Sequence, residues 1–182
     1  EQYKKIISES EIDIAITGDL DISEIENEII ERFKFRNSEI VSIPREKINY
    51  PVTEVKHVVD KFDVSQGKIV MGYRTNIDVR SDDFAPMFMY SVILGSGVYS
   101  KVFMNIREKH SLCYSINSYL EKIKGIMFIT AGIETVNFDK TIELIKKEVQ
   151  DMNEGVISEN EIKFAKKYVR NNLQSLKDSI WS

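Results

Sequence analysis

Arg107 and Tyr114 stand seven positions apart across a predicted helix-to-strand turn, and both side chains carry hydrogen-bond donors that could do chemistry. A guanidinium can donate charge-assisted hydrogen bonds to a carbonyl or a carboxylate, and a phenol can donate one to a developing oxyanion. Structural roles account for the same residues. Arg107 is also a cation at a helix end, and Tyr114 shares a predicted strand face with Leu112 and Ile116. Residue type alone favours these structural roles.

The two histidines, His57 and His110, do not form a metal motif. A catalytic zinc needs three protein ligands, and the stretch that begins at His57 lacks both the Glu and the second His of H-x-x-E-H. We interpret His57 as a strand residue and His110 as a helix-end residue. The sequence therefore predicts no metal ligand.

Gly95-Ser96-Gly97 lacks the G-K-[ST] ending of a phosphate-binding loop and is interpreted as a tight turn between helices.

Composition narrows the possible partners. The chain has 182 residues and a formal net charge of −4, with basic residues scattered among acidic ones. The absence of a basic stripe argues against nucleic acid. The single cysteine, Cys113, cannot form an internal disulfide and is interpreted as a small core residue, ahead of a catalytic role. No apolar run is long enough for a membrane span, so the cytoplasm is predicted, although the chain begins at Glu1 and its natural start is expected to be missing.

Hydrophobic periodicity predicts the elements that position these residues. A helix that starts after Gly97 should end near His110. The strands at 112–120 and 126–133 should form an antiparallel pair. The predicted strands are 12–17, 53–62, 68–75, 112–120 and 126–133, and the predicted helices are 22–33, 84–94, one from Asn137 to Gly155 and one from Ser158. This order predicts an α+β fold with a mainly antiparallel sheet and helices packed on one face.

Three blocks of sequence resemble the pitrilysin and mitochondrial-processing-peptidase-like zinc metalloprotease family. Arg107-Glu108-Lys109 with Leu112-Cys113-Tyr114-Ser115-Ile116 is similar to the family pattern R-E-K-x-x-L-x-Y-S-I/V. The stretch from Ile14 to Asp21 resembles the family's strand, Gly-Asp turn and helix. The stretch from Gly155 to Glu161 resembles one of its helix starts. The blocks occur in the family's order and cover most of the chain.

The resemblance implies a domain layout and a role. It implies that 1–36, a strand and a helix, ends a preceding repeat and that 37–52 is a linker. Residues 53–182 then form a second, noncatalytic repeat that is truncated at its C-terminus. It also implies that this repeat forms the wall of a peptide-substrate chamber opposite a zinc-bearing half or partner subunit, with Arg107 and Tyr114 lining the chamber. Zinc is expected in that other half, and no cofactor in this chain.

The first hypothesis, the noncatalytic chamber wall, has a more specific form, and two alternatives to it stay open. The stretches from Gln66 to Ile69 and from Gly72 to Asn76 look most like the zinc-lacking partner of a bacterial two-protein pair. Because the sequence lacks H-x-x-E-H, the chain alone is expected to be no enzyme. The second hypothesis is the C-terminal half of an active zinc metallopeptidase whose H-x-x-E-H half lies outside this sequence. A third, from another class, is a protein-interaction scaffold that binds no peptide.

Overall fold

A computed structural model describes residues 1–19, 21–34 and 51–177, and the chain divides into two compact units, 1–46 and 47–182. The first unit contains α1 (Gln2–Glu9) and α2 (Ile22–Arg32). Helix α2 begins at Asp21, whose carboxylate accepts the backbone N–H of Glu24 at 3.0 Å. Such a cap satisfies one of the free donors at the helix start, as the sequence predicts. Neither helix contains a buried residue.

The strand predicted at 12–17 is wrong, because residues 11–17 are not in a strand. The isoleucines at 12, 14 and 16 alternate as predicted, yet they are 38%, 46% and 50% exposed. Alternation selects a face, whereas a strand also needs a neighbouring strand to satisfy its backbone groups. The linker predicted at 37–52 lies outside the described residues except for its last two positions.

The second unit is built on a three-stranded antiparallel sheet. Its strands are β1 (Gly67–Arg74), β2 (Cys113–Glu121) and β3 (Ile126–Ile133), in the spatial order β1-β3-β2. The predicted hairpin of β2 and β3 is confirmed. The strand predicted at 53–62 is wrong, because that segment has no strand structure and Val55 and Val59 are 77% and 72% exposed. Segment 67–74 has a similar strand-like pattern, but unlike 53–62 it pairs with β3 along its whole length.

Helices cover one face of this sheet. They are α3 (Phe84–Gly95), a short helix at 101–108, α4 (Phe138–Asn153) and α5 (Glu159–Lys177). The buried cluster joins the inward side of the sheet to these helices and includes Ile69, Ile116, Ile129, Val92, Leu94, Ile106 and Ile145. On the other sheet face, side chains such as Val70 and Tyr119 remain 63% and 49% exposed. The predicted α+β fold with helices on one face is therefore confirmed.

The turn at 95–97 is needed for close packing. A Cβ added at Gly95 would lie 2.4 Å from the backbone nitrogen of Ser118 on β2, and Gly97 has a φ of +88°. Both positions favour glycine, because a side chain would clash at the first and strain the backbone at the second. The prediction of a tight turn between helices is confirmed.

Local signals also define the ends of the last two helices. Gly155, with a φ of +76°, follows the end of α4, as predicted. At the start of α5, the Ser158 N–H donates to the Glu161 carboxylate at 2.7 Å, and the Glu161 N–H donates to the Ser158 hydroxyl at 3.3 Å. This reciprocal pair is a capping box, for which Ser158 and Glu161 have the required spacing of three residues. Of the helices that the structure describes, none is both long and apolar enough to cross a membrane.

Candidate functional site

Arg107 lies in a widened helical segment. Residues Phe103–Glu108 form a π-helix, in which the Lys109 N–H donates to the carbonyl of Met104, five residues earlier, at 3.0 Å. Short π segments inside helices often occur at functional sites. The guanidinium of Arg107 lies over the ring of Phe103, 4.6 Å from its centroid. Arg107 is half-buried and forms no ion pair with the described residues, so its donors are held in place without being saturated.

A buried carboxylate fastens this segment to the rest of the unit. Glu148 on α4 is 5% exposed and accepts a hydrogen bond from the Asn105 side-chain amide at 2.9 Å. Next to Asn105, Ile106 is fully buried in the core. These two contacts fix the segment that carries Arg107. Sequence reasoning missed Glu148, because the period of α4 gives no sign that a carboxylate replaces an apolar residue on the buried face.

Tyr114 owes its position to a β-bulge. In the β2–β3 ladder, Cys113 pairs with Ile133 and Ser115 pairs with Gly132, so Tyr114 is an extra residue without a partner on β3. A bulge breaks the alternation of side chains across the sheet. Cys113 is therefore buried, whereas Tyr114 is 53% exposed and Ser115 is also exposed. Simple alternation would place Tyr114 in the core, and the structure contradicts that interpretation.

Glu134 is the hydrogen-bonding partner of Tyr114. The phenol donates to the Glu134 carboxylate at 2.7 Å, and both residues are exposed. This hydrogen bond raises the pKa of Tyr114, because losing the proton would place two negative charges side by side. Sequence reasoning missed Glu134, and no motif could have indicated it. The pairing depends on the register of β2 against β3.

Arg107 lies near Cys113, the residue before Tyr114. Burial raises the pKa of the Cys113 thiol, and the charge of Arg107 acts in the opposite direction. Arg107 therefore lies within electrostatic reach of the residue directly before Tyr114. Between them the chain reverses at Ser111, which has a φ of +52° and donates its N–H to the Arg107 carbonyl at 2.9 Å.

The histidines do not contribute to this site. His57 lies in the exposed segment 51–66, and His110 is exposed at the turn that follows the short helix. In the described ranges, no group of three or more His, Cys, Asp and Glu side chains is placed to hold a metal ion. The donors that the structure describes therefore do not fit the three-ligand requirement of a catalytic zinc.

Lys101 and Glu161 form an ion pair away from the candidate site. Lys101 is 6% exposed, and its ammonium lies 3.1 Å from the Glu161 carboxylate at the start of α5. Nearby, the Tyr168 ring lies 3.1 Å from the position that a Cβ on Gly97 would occupy. The ring contact joins the turn at Gly97 to α5, and the ion pair joins the start of the short helix to α5. We assign them a structural role.

Comparison with known proteins gives a family and several relatives. The sequence matches the Peptidase M16 inactive domain over residues 1–169. The probable inactive metalloprotease YmfF of Bacillus subtilis is 32% identical over 181 residues, which cover 100% of this chain and 42% of YmfF. An uncharacterized zinc protease of Rickettsia bellii is 27% identical over 120 residues, which cover 65% of this chain and 29% of that protein.

Solved structures show the same fold. A conserved protein from Enterococcus faecalis superposes with a TM-score of 0.83 at 24% identity, covering 98% of this chain and 42% of that chain. A peptidase M16 inactive domain from Pseudomonas fluorescens superposes with a TM-score of 0.70 at 20% identity, covering 86% of this chain and 38% of that chain. The chain thus spans less than half the length of these relatives. The family match, the similarity to YmfF and the shared fold show that this chain belongs to the Peptidase M16 inactive domain family and is a noncatalytic, pitrilysin-like domain.

Proposed function

We propose that this domain forms one wall of a peptide-binding chamber, opposite a zinc-bearing half or partner subunit, and that Arg107 and Tyr114 contact the peptide. The observation that carries the proposal is the bulge at Tyr114, which turns a phenol out of the core at the point where the family pattern places it. Bulges are common next to active sites, where they redirect a side chain. Zinc belongs, on this proposal, to the other half or subunit.

The two side chains would make different contacts. Arg107 has no ion pair within the described residues, so its guanidinium can donate to a peptide carbonyl or a terminal carboxylate. The Tyr114 hydroxyl already donates to Glu134, so its oxygen can accept a peptide N–H while that bond persists. To donate to an oxyanion, the phenol must first leave Glu134. Glu134 therefore controls which role Tyr114 plays.

Relatives favour the noncatalytic role and also support an alternative. The YmfF relative carries the description of a probable inactive metalloprotease, which fits a zinc-lacking partner of a two-protein pair. The Rickettsia relative is described as a zinc protease, which fits the second half of a chain that has its own zinc motif. The residues that precede this domain distinguish the two cases, since only the second requires H-x-x-E-H there.

The layout and the location of the protein also remain proposals. We propose that 1–36 ends a preceding repeat, that 37–52 is a linker and that 53–182 is the second repeat. We propose the cytoplasm as the location, from composition alone. One structural neighbour is described as a periplasmic protease, PqqL from Escherichia coli. Fractionation of cells that express the full-length protein would distinguish the two compartments.

Turnover by the full-length protein, together with its zinc-bearing half or subunit, tests the site. Replacing Arg107 by Ala should lower turnover of a peptide substrate roughly tenfold or more, as expected for the loss of a charge-assisted hydrogen bond. Tyr114→Phe keeps the ring and removes the hydroxyl, and it should also lower turnover. Arg170→Ala and Tyr99→Phe are matched controls, since both residues are exposed and lie outside the site.

Two results would contradict this assignment. If Tyr114→Phe left turnover unchanged while Arg107→Ala unfolded the domain, both residues would be structural. If neither variant affected turnover, peptide contact would lie outside this site, and the scaffold hypothesis would replace the chamber wall. Binding to the zinc-bearing partner without any peptide would then be the remaining activity to measure.

A further inference from the structure

The sheet face opposite the helices carries an aromatic platform, which we define as Val70, Tyr119 and Phe128. The rings of Tyr119 and Phe128 stack with centroids 5.4 Å apart and an interplanar angle of 29°. Gly72 pairs with Phe128 across the sheet, and a Cβ there would lie 3.4 Å from the Phe128 ring. The Phe128 ring therefore lies over Gly72 on β1. Val70 and Tyr119 are 63% and 49% exposed, so the platform is open to a ligand.

The platform lies on the same sheet face as the residue that follows Tyr114. Ser115, next to Tyr114, pairs with Gly132, and Phe128 is four residues from Gly132 along β3. At about 3.3 Å per residue, this spacing corresponds to roughly 13 Å. A peptide in extended conformation would cover that distance with about four residues.

A polar pair of side chains lies between the platform and the row of Ser115 on the sheet. Thr130 donates its hydroxyl to the Asn117 side-chain carbonyl at 2.6 Å, and this pair stands one row from the stacked rings. The bond orients the Asn117 amide and leaves its N–H groups without a partner among the described residues. Asn117 is exposed. An oriented, exposed amide donor suits the backbone carbonyl of a peptide that lies across the sheet.

The size of the platform favours binding of a single side chain over docking of a whole protein surface. Large aromatic side chains have about 150–250 Å² of surface each, and Val70 and Tyr119 are only 63% and 49% exposed, so the platform offers roughly 300 Å². A stable protein–protein interface buries about 500 Å² or more on each partner and has a larger apolar centre. Polar and charged residues flank the platform on the same face, namely Lys68, Asn117 and Glu121. A small apolar area with a polar rim suits contact with one apolar side chain of a ligand.

We propose that the aromatic platform binds an aromatic or large aliphatic side chain of an extended peptide whose backbone crosses the open face toward Tyr114. This inference rests on the proposed function and adds a substrate preference to it. Peptides that carry such a side chain about four residues from the position that contacts Tyr114 should bind best. Asn117 would hold the backbone between the two contacts.

The test uses the full-length protein and two capped peptides. Both consist of alanine, serine and glycine, and they differ at one position, which is Phe in the first and Ser in the second. Calorimetry should give about tenfold tighter binding for the Phe peptide, because burying and stacking one ring contributes on the order of that factor. Val70→Thr and Tyr119→Thr keep strand propensity and remove apolar surface. Each should lower the preference for Phe about threefold or more, whereas Val156→Thr, an exposed valine after α4, should not.

Each other outcome overturns the inference in a distinguishable way. If peptides bind and Tyr114→Phe weakens them, but the platform variants leave the Phe preference intact, the platform proposal fails and the proposed function stands. If neither peptide binds, both fail. If peptides bind without any Phe preference and Tyr119→Thr lowers the melting temperature of the full-length protein, another part of that protein covers the platform.

Discussion

The two compact units of this chain differ in how their helices are supported. In the first unit, α1 and α2 bury no residue, although α2 has a capped start. In the second unit, every helix from α3 to α5 contributes residues to one buried cluster with the sheet. Helices of eight and eleven residues are marginal by themselves in water, because their internal hydrogen bonds barely offset the loss of chain entropy. Local signals thus suffice to define a helix, whereas packing is needed to stabilise it.

In the first unit, the apolar face of α2 lies open. The isoleucines of α2 and of the segment before it line an open groove of about 360 Å³, formed by Ile14, Ile16, Ile22, Ile25, Ile29 and Ile30. In the second unit the equivalent apolar faces meet a paired sheet. This contrast agrees with our proposal that 1–36 belongs to a different repeat from 53–182.

The largest expected effect is on local opening. Elements without buried neighbours open at low free energy, so backbone amides in α1 and α2 should exchange about a hundredfold faster, or more, than those in β3. Limited proteolysis of this chain should cut first between Phe35 and Pro51, at the proposed linker. Hydrogen exchange followed by mass spectrometry would measure both units in one experiment. Equal protection of α2 and β3 would break the comparison, and with it the two-repeat layout.

A matched pair of substitutions would measure the difference in support. Ile129 is fully buried in β3, so Ile129→Ala should lower the free energy of unfolding by about 2–5 kcal/mol through lost burial and a cavity. Ile30 in α2 is 57% exposed, and Ile30→Ala should change it by no more than about 0.5 kcal/mol. Urea denaturation of both variants supplies the values. Similar losses at the two positions would mean that α2 is packed as firmly as the core.

A smaller effect is expected in the pH dependence of stability, where the capped start of α5 should differ from that of α2. Burial of the Glu161 carboxyl raises its pKa, but hydrogen bonds from Ser158 and the contact with Lys101 outweigh this and hold the pKa below its ordinary value of 4.5. A carboxyl whose pKa is lowered by folding stabilises the protein above its ordinary pKa. That stabilisation disappears as the pH falls from about 4.5 through the lowered pKa.

Glu161→Gln should therefore flatten the loss of stability below that pH. Thermal unfolding of wild type and variant across acidic pH would measure the slope. Glu24→Gln, at the corresponding position of α2, is the matched control and should leave the slope for the second unit unchanged. Parallel curves for wild type and Glu161→Gln would show that the ion pair with Lys101 and the capping bonds do not favour the ionised form.

Much of the local structure could be predicted from the sequence. The capping patterns at Asp21 and Ser158 mark helix starts because the side chain and the N–H that it binds are only three residues apart. The turn at Gly95 and the hairpin of 112–120 with 126–133 follow from similarly short-range signals. The family resemblance, based on the block from Arg107 to Ile116, is confirmed by the match over residues 1–169.

Tertiary structure alone decided which extended segments became strands and which side chains formed the candidate site. Segments 12–17 and 53–62 alternate like strands, yet among the described residues only 67–74, 113–121 and 126–133 form a sheet. Strand formation depends on a partner that sequence pattern does not specify. The exposure of Tyr114 and its bond to Glu134 arise from one extra residue in the β2–β3 register. Register is a property of two strands packed on a core, and so no single stretch of this sequence encodes it.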